Sequence, residues 1–304
     1  MAFLPLRPVP VPPDVEARYR AWIDDLDRSL DDPELDRNAF CRTVLEEIYG
    51  FGGESDSESP VAAILRDQLD PRNVTLEAEY YRDIDLERYA RVKPLIWLWE
   101  MFDRSPLGEN VALGVPLRRI LAKRIFRRCG HNFKAFHQVK FSFGYNLEVG
   151  DDVVVHRHVL LDDRGGIRLG NGVSVSDFVN VYSHTHDIVD GRIVFTPATV
   201  LEDRVRVTYH ATILAGTTVA ADSMVGAMST LTRDTEPFGV YVGSPAKKIR
   251  AKGEAAVARR RTATGDPLQD EGPPPLPIGA PEPAHRDPEA DALAEDHLGG
   301  EGSG

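Results

Sequence analysis

The chain has 304 residues and a formal net charge of −12 at pH 7, so it is long enough for a sizeable core and about two domains. The acidic charge argues against nucleic-acid binding, which would call for a basic face. Two cysteines, Cys41 and Cys129, give no disulfide framework or zinc spacing and predict a reducing, cytoplasmic setting. The proline-rich start predicts no signal peptide, and no apolar run reaches the length of a membrane span.

Residues 14–130 are predicted to form a helical domain, preceded by a flexible N-terminus at residues 1–13. Apolar residues in this region recur three or four positions apart, which is the helical period. The expected helices follow Asp14 and Asp32-Pro33 and span Val61–Leu69, Leu86–Phe102 and Leu117–Arg128.

A different period governs the middle of the chain, where every sixth residue is aliphatic. The uninterrupted run is Leu201, Val207, Ile213, Val219, Val225 and Leu231. Neither a helix nor an alternating strand has this period. A strict six-residue repeat is typical of a parallel β-helix, whose coils must stack because none can bury its apolar stripe alone.

The repeat extends upstream and is interrupted once by a long insertion. Its earlier positions are Val149, Val155, Leu161, Leu169, Val175 and Val181, with two extra residues before Leu169. The step from Val181 to Leu201 is twenty residues, or six plus fourteen. Insertions in such repeats are extruded as loops and often form the binding face. We therefore predict a β-helix domain over 131–252 with an extruded loop at 183–197, which contains Ser183-His184-Thr185-His186-Asp187.

The helix Leu117–Arg128 is basic and amphipathic, and the helix before it carries Trp97 and Trp99. One interpretation is a membrane-surface element. The favoured interpretation is a cap, since the first coil of a solenoid leaves edges that need cover. At the other end, residues 253–304 predict a short helix and then a disordered acidic tail, because they are rich in Pro, Gly, Asp and Glu.

Three motifs between Asp162 and Arg250 carry a resemblance to a known family. They are Leu169-Gly170-Asn171-Gly172 with His186 sixteen residues after Gly170, Gly226-Ala227-Met228-Ser229, and Val242-Gly243-Ser244-Pro245-Ala246-Lys247-Lys248-Ile249-Arg250. With them the chain resembles the hexapeptide-repeat acyltransferases, in the maltose and galactoside O-acetyltransferase branch. The resemblance implies a mainly β fold: a left-handed parallel β-helix, here with an N-terminal α-helical domain and a disordered acidic C-terminal tail.

The same resemblance implies a catalytic set. A hydroxyl acceptor attacking a thioester must lose its proton, and a histidine can accept that proton near neutral pH. His186 matches the family's catalytic position, and His184 competes for the role of base. Asp187 or another carboxylate is expected to orient the imidazole, and the backbone N–H of Tyr209 to stabilise the oxyanion. Such a site gives direct transfer, without a covalent acyl-enzyme.

Further residues are assigned to the two substrates. Asp163, His156 and Tyr182 are predicted to bind the acceptor, although a solvated turn residue is an equal interpretation of Asp163 and His156. The predicted coenzyme A contacts are Arg206, Thr208, Ala227, Ser229, Gly243, Pro245, Lys247, Lys248 and Arg250, with the basic groups on phosphates. Arg206-Val207-Thr208-Tyr209 departs from the family's usual Trp-Ile-Gly sequence, which puts the details of thioester binding in question.

The sequence therefore predicts an acetyl-CoA-dependent O-acyltransferase acting on a carbohydrate or glycoside hydroxyl, with no bound cofactor or metal. We expect a cyclic homotrimer with the site between neighbours. One rival is a γ-carbonic-anhydrase-like zinc enzyme, because His156, His158, His184, His186 and His210 could supply ligands across a trimer. A non-catalytic β-helix scaffold is the other.

Overall fold

The structure is a computed structural model that describes residues 10–51 and 59–253. Three sequence predictions fall outside these residues: the flexible N-terminus up to residue 9, the short helix after residue 253, and the acidic tail that follows it. The described part has α-helices first and β-strands second.

The helices precede the β-structure without interruption by a strand. They are α1 (Pro13–Leu30), α2 (Arg37–Ile48), α3 (Pro60–Leu69), α4 (Leu86–Arg104) and α5 (Val111–Ile125), with short 3₁₀ helices at Pro71–Asn73 and Glu77–Tyr80. Most begin at a side chain that accepts backbone N–H groups of the first turn, as Asp85 does from Arg88 at 3.0 Å and Ser59 from Ala62 at 3.2 Å.

Three helix positions differ from the prediction. Asp14 does not cap α1, because the helix begins at Pro13 and Asp14 lies in its first turn. Asp32-Pro33 does not open α2, because the Asp36 carboxylate caps it instead, accepting the N–H of Asn38 at 2.9 Å. The last helix begins six residues earlier than expected, after the Asn110 cap, and ends at Ile125. Arg128 therefore belongs to the first strand rather than to a helix.

Short strands then form a three-faced prism. In chain order they are β1 (Arg128–Cys129), β2 (Lys134–Ala135), β3 (Lys140–Phe141), β4 (Leu147–Val149), β5 (Val154–Val155), β6 (Leu160–Asp162), β7 (Ile167–Leu169), β8 (Ser174–Val175), β9 (Asn180–Tyr182), β10 (Thr185–His186), β11 (Val194–Phe195), β12 (Thr199–Leu201), β13 (Arg206–Val207), β14 (Thr212–Ile213), β15 (Thr218–Val219), β16 (Met224–Val225), β17 (Thr230–Leu231), β18 (Gly239–Val242) and β19 (Lys247–Ala251).

Each face of the prism is one sheet. Face A has the order β1-β4-β7-β12-β15, face B β2-β5-β8-β13-β16-β18-β19, and face C β3-β6-β9-β14-β17. Within the faces all pairs are parallel except β18 with β19. The chain therefore forms the predicted left-handed parallel β-helix of stacked coils. We call the turns from face B to face C the BC corner, and those from face C to face A the CA corner.

The predicted six-residue ladders are confirmed. Val149 pairs with Leu169 and Leu169 with Leu201, so that aliphatic residues stack from coil to coil on face A. Val207 and Ile213 occupy the same positions on faces B and C, and both have no exposed surface. The ladders are the core that no single coil could bury.

The β-helix also contains a first coil that the aliphatic repeat did not reveal. Cys129, Ala135 and Phe141 occupy its inward positions and pair with the ladder residues of the next coil. They are six residues apart, but their sizes vary because α4 and α5 pack against this coil. Phe141 lies edge-on to Trp99, with ring centroids 5.3 Å apart.

The basic residues of α5 are used inside the protein, which supports its role as a cap. Arg119 donates to the Phe133 carbonyl at 2.7 Å, and Arg124 to the Asp27 carboxylate at 2.7 Å. Arg118 is buried against Asp103 of α4. Across residues 10–51 and 59–253, the helices are all too short or too polar to span a bilayer.

The chain end closes face B with a reversed strand. After β18, Gly243 takes a φ of +96°, a conformation that favours glycine, and β19 runs back antiparallel to β18. Gly243 and Pro245 therefore turn the chain into a strand. Parallel stacking ends here because β19 covers the last open edge of the sheet.

Candidate functional site

The predicted extruded loop is a hairpin that replaces the CA corner of the third coil. Strands β10 and β11 pair antiparallel, with Thr185 opposite Phe195 and His186 opposite Val194. Its two ends are held to the prism by buried hydroxyls. Ser183 donates to the Asp162 carbonyl at 2.6 Å, and Thr199 donates to the Tyr182 carbonyl at 2.6 Å.

The two histidines of the hairpin lie side by side, with ring centroids 5.6 Å apart. His186 is exposed, and its Nδ1 lies 2.6 Å from the Gly191 carbonyl oxygen. A carbonyl can only accept, so Nδ1 carries a proton, and in the neutral ring Nε2 then has the lone pair. His186 thus has the tautomer that a general base needs.

His184 lies deeper and has a different partner. Its Nδ1 contacts a carboxylate oxygen of Asp162, a residue that is 3% exposed, and the other oxygen of that carboxylate accepts from Ser142 at 2.7 Å. A carboxylate on Nδ1 fixes the orientation of the ring. Asp162 was not among the predicted site residues, although the twenty-residue coil length places it opposite Tyr182, two residues before His184.

Asp187 does not orient either imidazole. Its carboxylate accepts the backbone N–H groups of Val189 at 2.8 Å and Asp190 at 2.9 Å, which shape the hairpin turn. These two hydrogen bonds lower the pKa of Asp187. The sequence prediction of an orienting carboxylate therefore moves to Asp162, and the histidine it orients is His184.

Of the three predicted acceptor residues, only Tyr182 lies beside the histidines, with its ring centroid 6.5 Å from that of His184. Asp163 has no exposed surface, and its carboxylate accepts the N–H groups of Phe143 at 2.7 Å and Asn146 at 3.2 Å. The Asp163 carboxylate therefore presents no surface to a ligand in this structure, and its role in acceptor binding stays a prediction. Burial raises the pKa of Asp163 to about 6, although the hydrogen bonds from the backbone N–H groups act to lower it.

His156 lies at the BC corner, away from the hairpin. It stacks on Phe136 with ring centroids 5.0 Å apart, and desolvation lowers its pKa. A column of stacked rings, His158, Phe178 and His210, follows along the same corner. Among the residues that the structure describes, no three His, Cys, Asp or Glu side chains cluster as metal ligands.

The predicted coenzyme A residues gather along the BC corner. Thr208 donates to the Val225 carbonyl at 2.8 Å, and Ser229 accepts the Gly243 N–H at 3.0 Å, so successive coils bring these residues into one row with Ala227 and Pro245. Tyr209 lies in the same row, and its carbonyl accepts from Met228 at 2.9 Å.

Basic side chains extend this row onto the end of face B. Arg206 lies on β13, and β19 carries Lys247, Lys248 and Arg250, all exposed. Lys248 forms an ion pair with Glu236. Lys247 and Arg250 make no ion pair with any of the residues that the structure describes, so both can receive phosphate oxygens.

One chain therefore places the predicted groups at two different corners. The histidine pair belongs to the CA corner, whereas Tyr209 and the coenzyme A row belong to the BC corner, and face C lies between them. Within the described part of the chain, no hydrogen bond or ring contact joins Tyr209 to His184 or His186.

Comparisons with known proteins agree with this architecture, although no protein-family model matches the chain. Galactoside O-acetyltransferase of Escherichia coli is 27% identical over 141 residues, which are 45% of this chain and 69% of that protein. A maltose O-acetyltransferase structure from Clostridium difficile is 24% identical, with a TM-score of 0.50 over 58% of this chain and 92% of that one. A hexapeptide-repeat acetyltransferase from Vibrio cholerae, solved with acetyl coenzyme A, is 22% identical, with a TM-score of 0.50 over 60% and 99%.

The ladders, the prism and the similar solved structures together show the fold, that of a left-handed β-helix built from hexapeptide repeats. In sequence the protein is similar to galactoside O-acetyltransferase, and in fold it is similar to maltose O-acetyltransferase.

Proposed function

We propose that the protein transfers the acetyl group of acetyl-CoA to a hydroxyl of a carbohydrate or glycoside. The observation that carries the proposal is the histidine pair on the hairpin, where His186 holds its proton on Nδ1 against the Gly191 carbonyl. The exposed Nε2 is then free to accept a proton from a substrate. The names of the galactoside and maltose relatives support a sugar acceptor.

The reaction follows from these groups. His186 Nε2 takes the acceptor hydroxyl proton as the oxygen attacks the thioester carbonyl. The backbone N–H of Tyr209 is our candidate donor to the oxyanion that forms. Collapse breaks the carbon–sulfur bond, and the thiolate of coenzyme A leaves with the proton that the imidazolium returns. The products are the acetyl ester and free coenzyme A, so every proton and bond is accounted for.

A site shared between two chains would bring the histidine pair of the CA corner next to the coenzyme A row of the BC corner. In a cyclic trimer, the CA-corner hairpin of one protomer would face the BC corner of its partner, and the histidines would meet the coenzyme A row there. Two exposed apolar side chains at the hairpin tip, Ile188 and Val189, support such a contact, since each is almost fully accessible in the single chain. The assembly is therefore proposed as a homotrimer.

Release of the coenzyme A thiol from acetyl-CoA tests the proposal across a panel of sugars and glycosides. We expect acceptor-dependent release by the wild type, and a fall in kcat of about 10²- to 10⁴-fold in His186→Ala. The matched variant is His184→Ala, on the same hairpin with its ring centroid 5.6 Å from that of His186, and we expect its loss of kcat to be smaller. A full loss in His184→Ala with activity kept in His186→Ala would move the base to His184. No release with any acceptor would contradict the proposed function.

A further inference from the structure

A cavity of about 360 Å³ lies between the helical domain and face C. Its helical wall is formed by residues 75–81 and by α4, and its β wall by β3, β6 and β9. His184 and Asp162 line the end of the cavity nearest the hairpin. The volume is within the ~300–1,000 Å³ that small-molecule sites occupy. The helices therefore cover the solenoid and also enclose a space that reaches His184, one of the two candidate bases.

The lining combines aromatic rings with hydrogen-bond acceptors. Tyr81, Tyr89, Trp97, Phe141 and Tyr182 supply ring surface from both walls. Hydroxyls and carboxylates lie between these rings. Flat apolar surface interrupted by acceptors suits a ligand that has both C–H faces and hydroxyl donors, as a sugar ring does.

The charges of the lining favour a neutral ligand. Its two cationic side chains, Arg104 and Lys140, both lie near Glu100, with N–O distances of 2.8 and 3.8 Å. Glu77 and Asp162 add two more carboxylates, and neither has an Arg or Lys partner among the described residues. A phosphate placed here would face these carboxylates without a free cation, and like charges repel strongly in a partly buried site.

One buried group has no partner of its own. Tyr89 is 3% exposed and stacks edge-on to Phe143, with ring centroids 6.5 Å apart. Its hydroxyl makes no hydrogen bond with any residue that the structure describes, and it is not among the fully enclosed unpaired atoms. Buried polar groups are normally paired. Since Tyr89 lines the cavity, the hydroxyl is open to a ligand there.

We propose that this cavity is the acceptor subsite, and that it binds the ring of an uncharged glycoside, with Tyr89 as a hydrogen-bond partner. The proposal rests on the proposed function, because the reacting hydroxyl is the one presented at the His184 end of the cavity, where the His186 ring centroid lies 5.6 Å beyond that of His184. The helical domain then selects the acceptor as well as covering the first coil.

Two variants test the subsite with a matched control. Tyr89→Phe removes only the hydroxyl, and Ala78→Leu narrows the cavity from its helical wall. Tyr80→Phe removes a tyrosine hydroxyl next to that wall, from a side chain that is 79% exposed. Each protein is titrated with p-nitrophenyl β-galactoside and p-nitrophenyl β-glucoside by saturation-transfer NMR, beside UDP-galactose as the charged probe. Steady-state KM values are measured for the acceptor and for acetyl-CoA.

We expect Tyr89→Phe to raise the acceptor KM about three- to tenfold, the contribution of one neutral hydrogen bond, with KM for acetyl-CoA unchanged. Ala78→Leu should abolish glycoside binding, and Tyr80→Phe should bind as the wild type does. UDP-galactose should not compete. Activity with unaltered acceptor KM in both cavity variants would overturn the subsite and leave the transferase standing. Glycoside binding that Ala78→Leu abolishes, without transfer by the wild type, would keep the subsite and overturn the proposed function.

Discussion

Asp163 is a carboxyl group with no exposed surface, whose pKa burial raises to about 6 from 3.8. Because the folded-state pKa lies above the unfolded one, its contribution to stability is fully present below about pH 4 and is lost as the pH rises through about 6. This rise of the pKa from 3.8 to about 6 corresponds to a loss of about 3 kcal/mol in the free energy of unfolding.

We therefore predict that the free energy of unfolding of the wild type, minus that of Asp163→Asn, falls by up to about 3 kcal/mol between pH 4 and pH 7. Urea unfolding at four pH values measures this difference. Asp25→Asn, at an exposed position of α1, is the control, and its difference from the wild type should stay constant. A constant difference for Asp163→Asn would contradict the raised pKa.

The sequence could locate the adjacent carboxyl groups of Asp162 and Asp163 but could not assign their roles. Resemblance pointed to Asp163, and the coil length places both aspartates below the hairpin. Which one faces His184 depends on where β6 ends and the corner begins. Asp162 is the last strand residue and contacts the imidazole, whereas Asp163 enters the turn and is enclosed by N–H groups. A difference of one position along the chain therefore separates Asp162, which contacts the candidate site, from Asp163, which stabilises the turn.

At the scale of elements, a buried ion pair joins α4, α5 and the first coil. Arg118 and Asp103 have side chains that are 1% and 3% exposed. Arg118 also donates to the carbonyls of Gly108 at 2.7 Å and Ala135 at 3.3 Å, and Asp103 accepts the Gln138 N–H at 2.7 Å. Each charge is thus satisfied only while the cap and the coil stay together.

Removing one partner should be more harmful than removing both. We predict that Arg118→Met lowers the free energy of unfolding by about 3–5 kcal/mol, because it leaves Asp103 charged and unpaired. The double variant Arg118→Met with Asp103→Leu should recover much of that loss. Guanidinium unfolding of the two variants and the wild type measures both effects. A double variant less stable than the single one would show that the pair, and not the unpaired charge, carries the energy.

The ladder positions were predictable to the residue and the helix limits were not, for a physical reason. Each ladder position must be apolar and must recur at a fixed interval, so the run from Leu201 to Leu231 can be recognised in the sequence alone. Helix limits depend on single caps such as Asp36 and Asn110, which compete with equally plausible neighbours such as Asp32. The first coil was missed because the side chains of Cys129 and Ala135 are small enough for the helices to pack on them. They therefore do not continue the pattern of large aliphatic residues.

At the scale of the whole molecule, the proposed trimer makes the hairpin tip an interface. Ile188 and Val189 are 101% and 97% exposed in the single chain. Two adjacent apolar side chains with this exposure favour a contact with another chain. We predict that Ile188→Asp with Val189→Asp shifts the protein from trimer toward monomer in light scattering at micromolar concentration. Activity should fall with the trimer fraction, because the two corners separate.

Val61→Asp is the matched control, since Val61 is an apolar residue of α3 that is 66% exposed and far along the chain from the hairpin. It should leave the molar mass unchanged. A wild type that is monomeric would contradict the shared site directly. A double variant that remains a trimer would place the interface elsewhere on the prism.

The reversed strand β19 affects whether the sheets of two molecules can associate edge to edge. A parallel prism ends in a row of unpaired amide and carbonyl groups, onto which the sheet of a second molecule could continue growing. Here the row on face B is filled by β19, and three of its five residues are Lys247, Lys248 and Arg250. Positive charge repels a like strand from the new outer edge. The strand that we assign to coenzyme A phosphates would thus also protect this end of the protein against fibre-like aggregation.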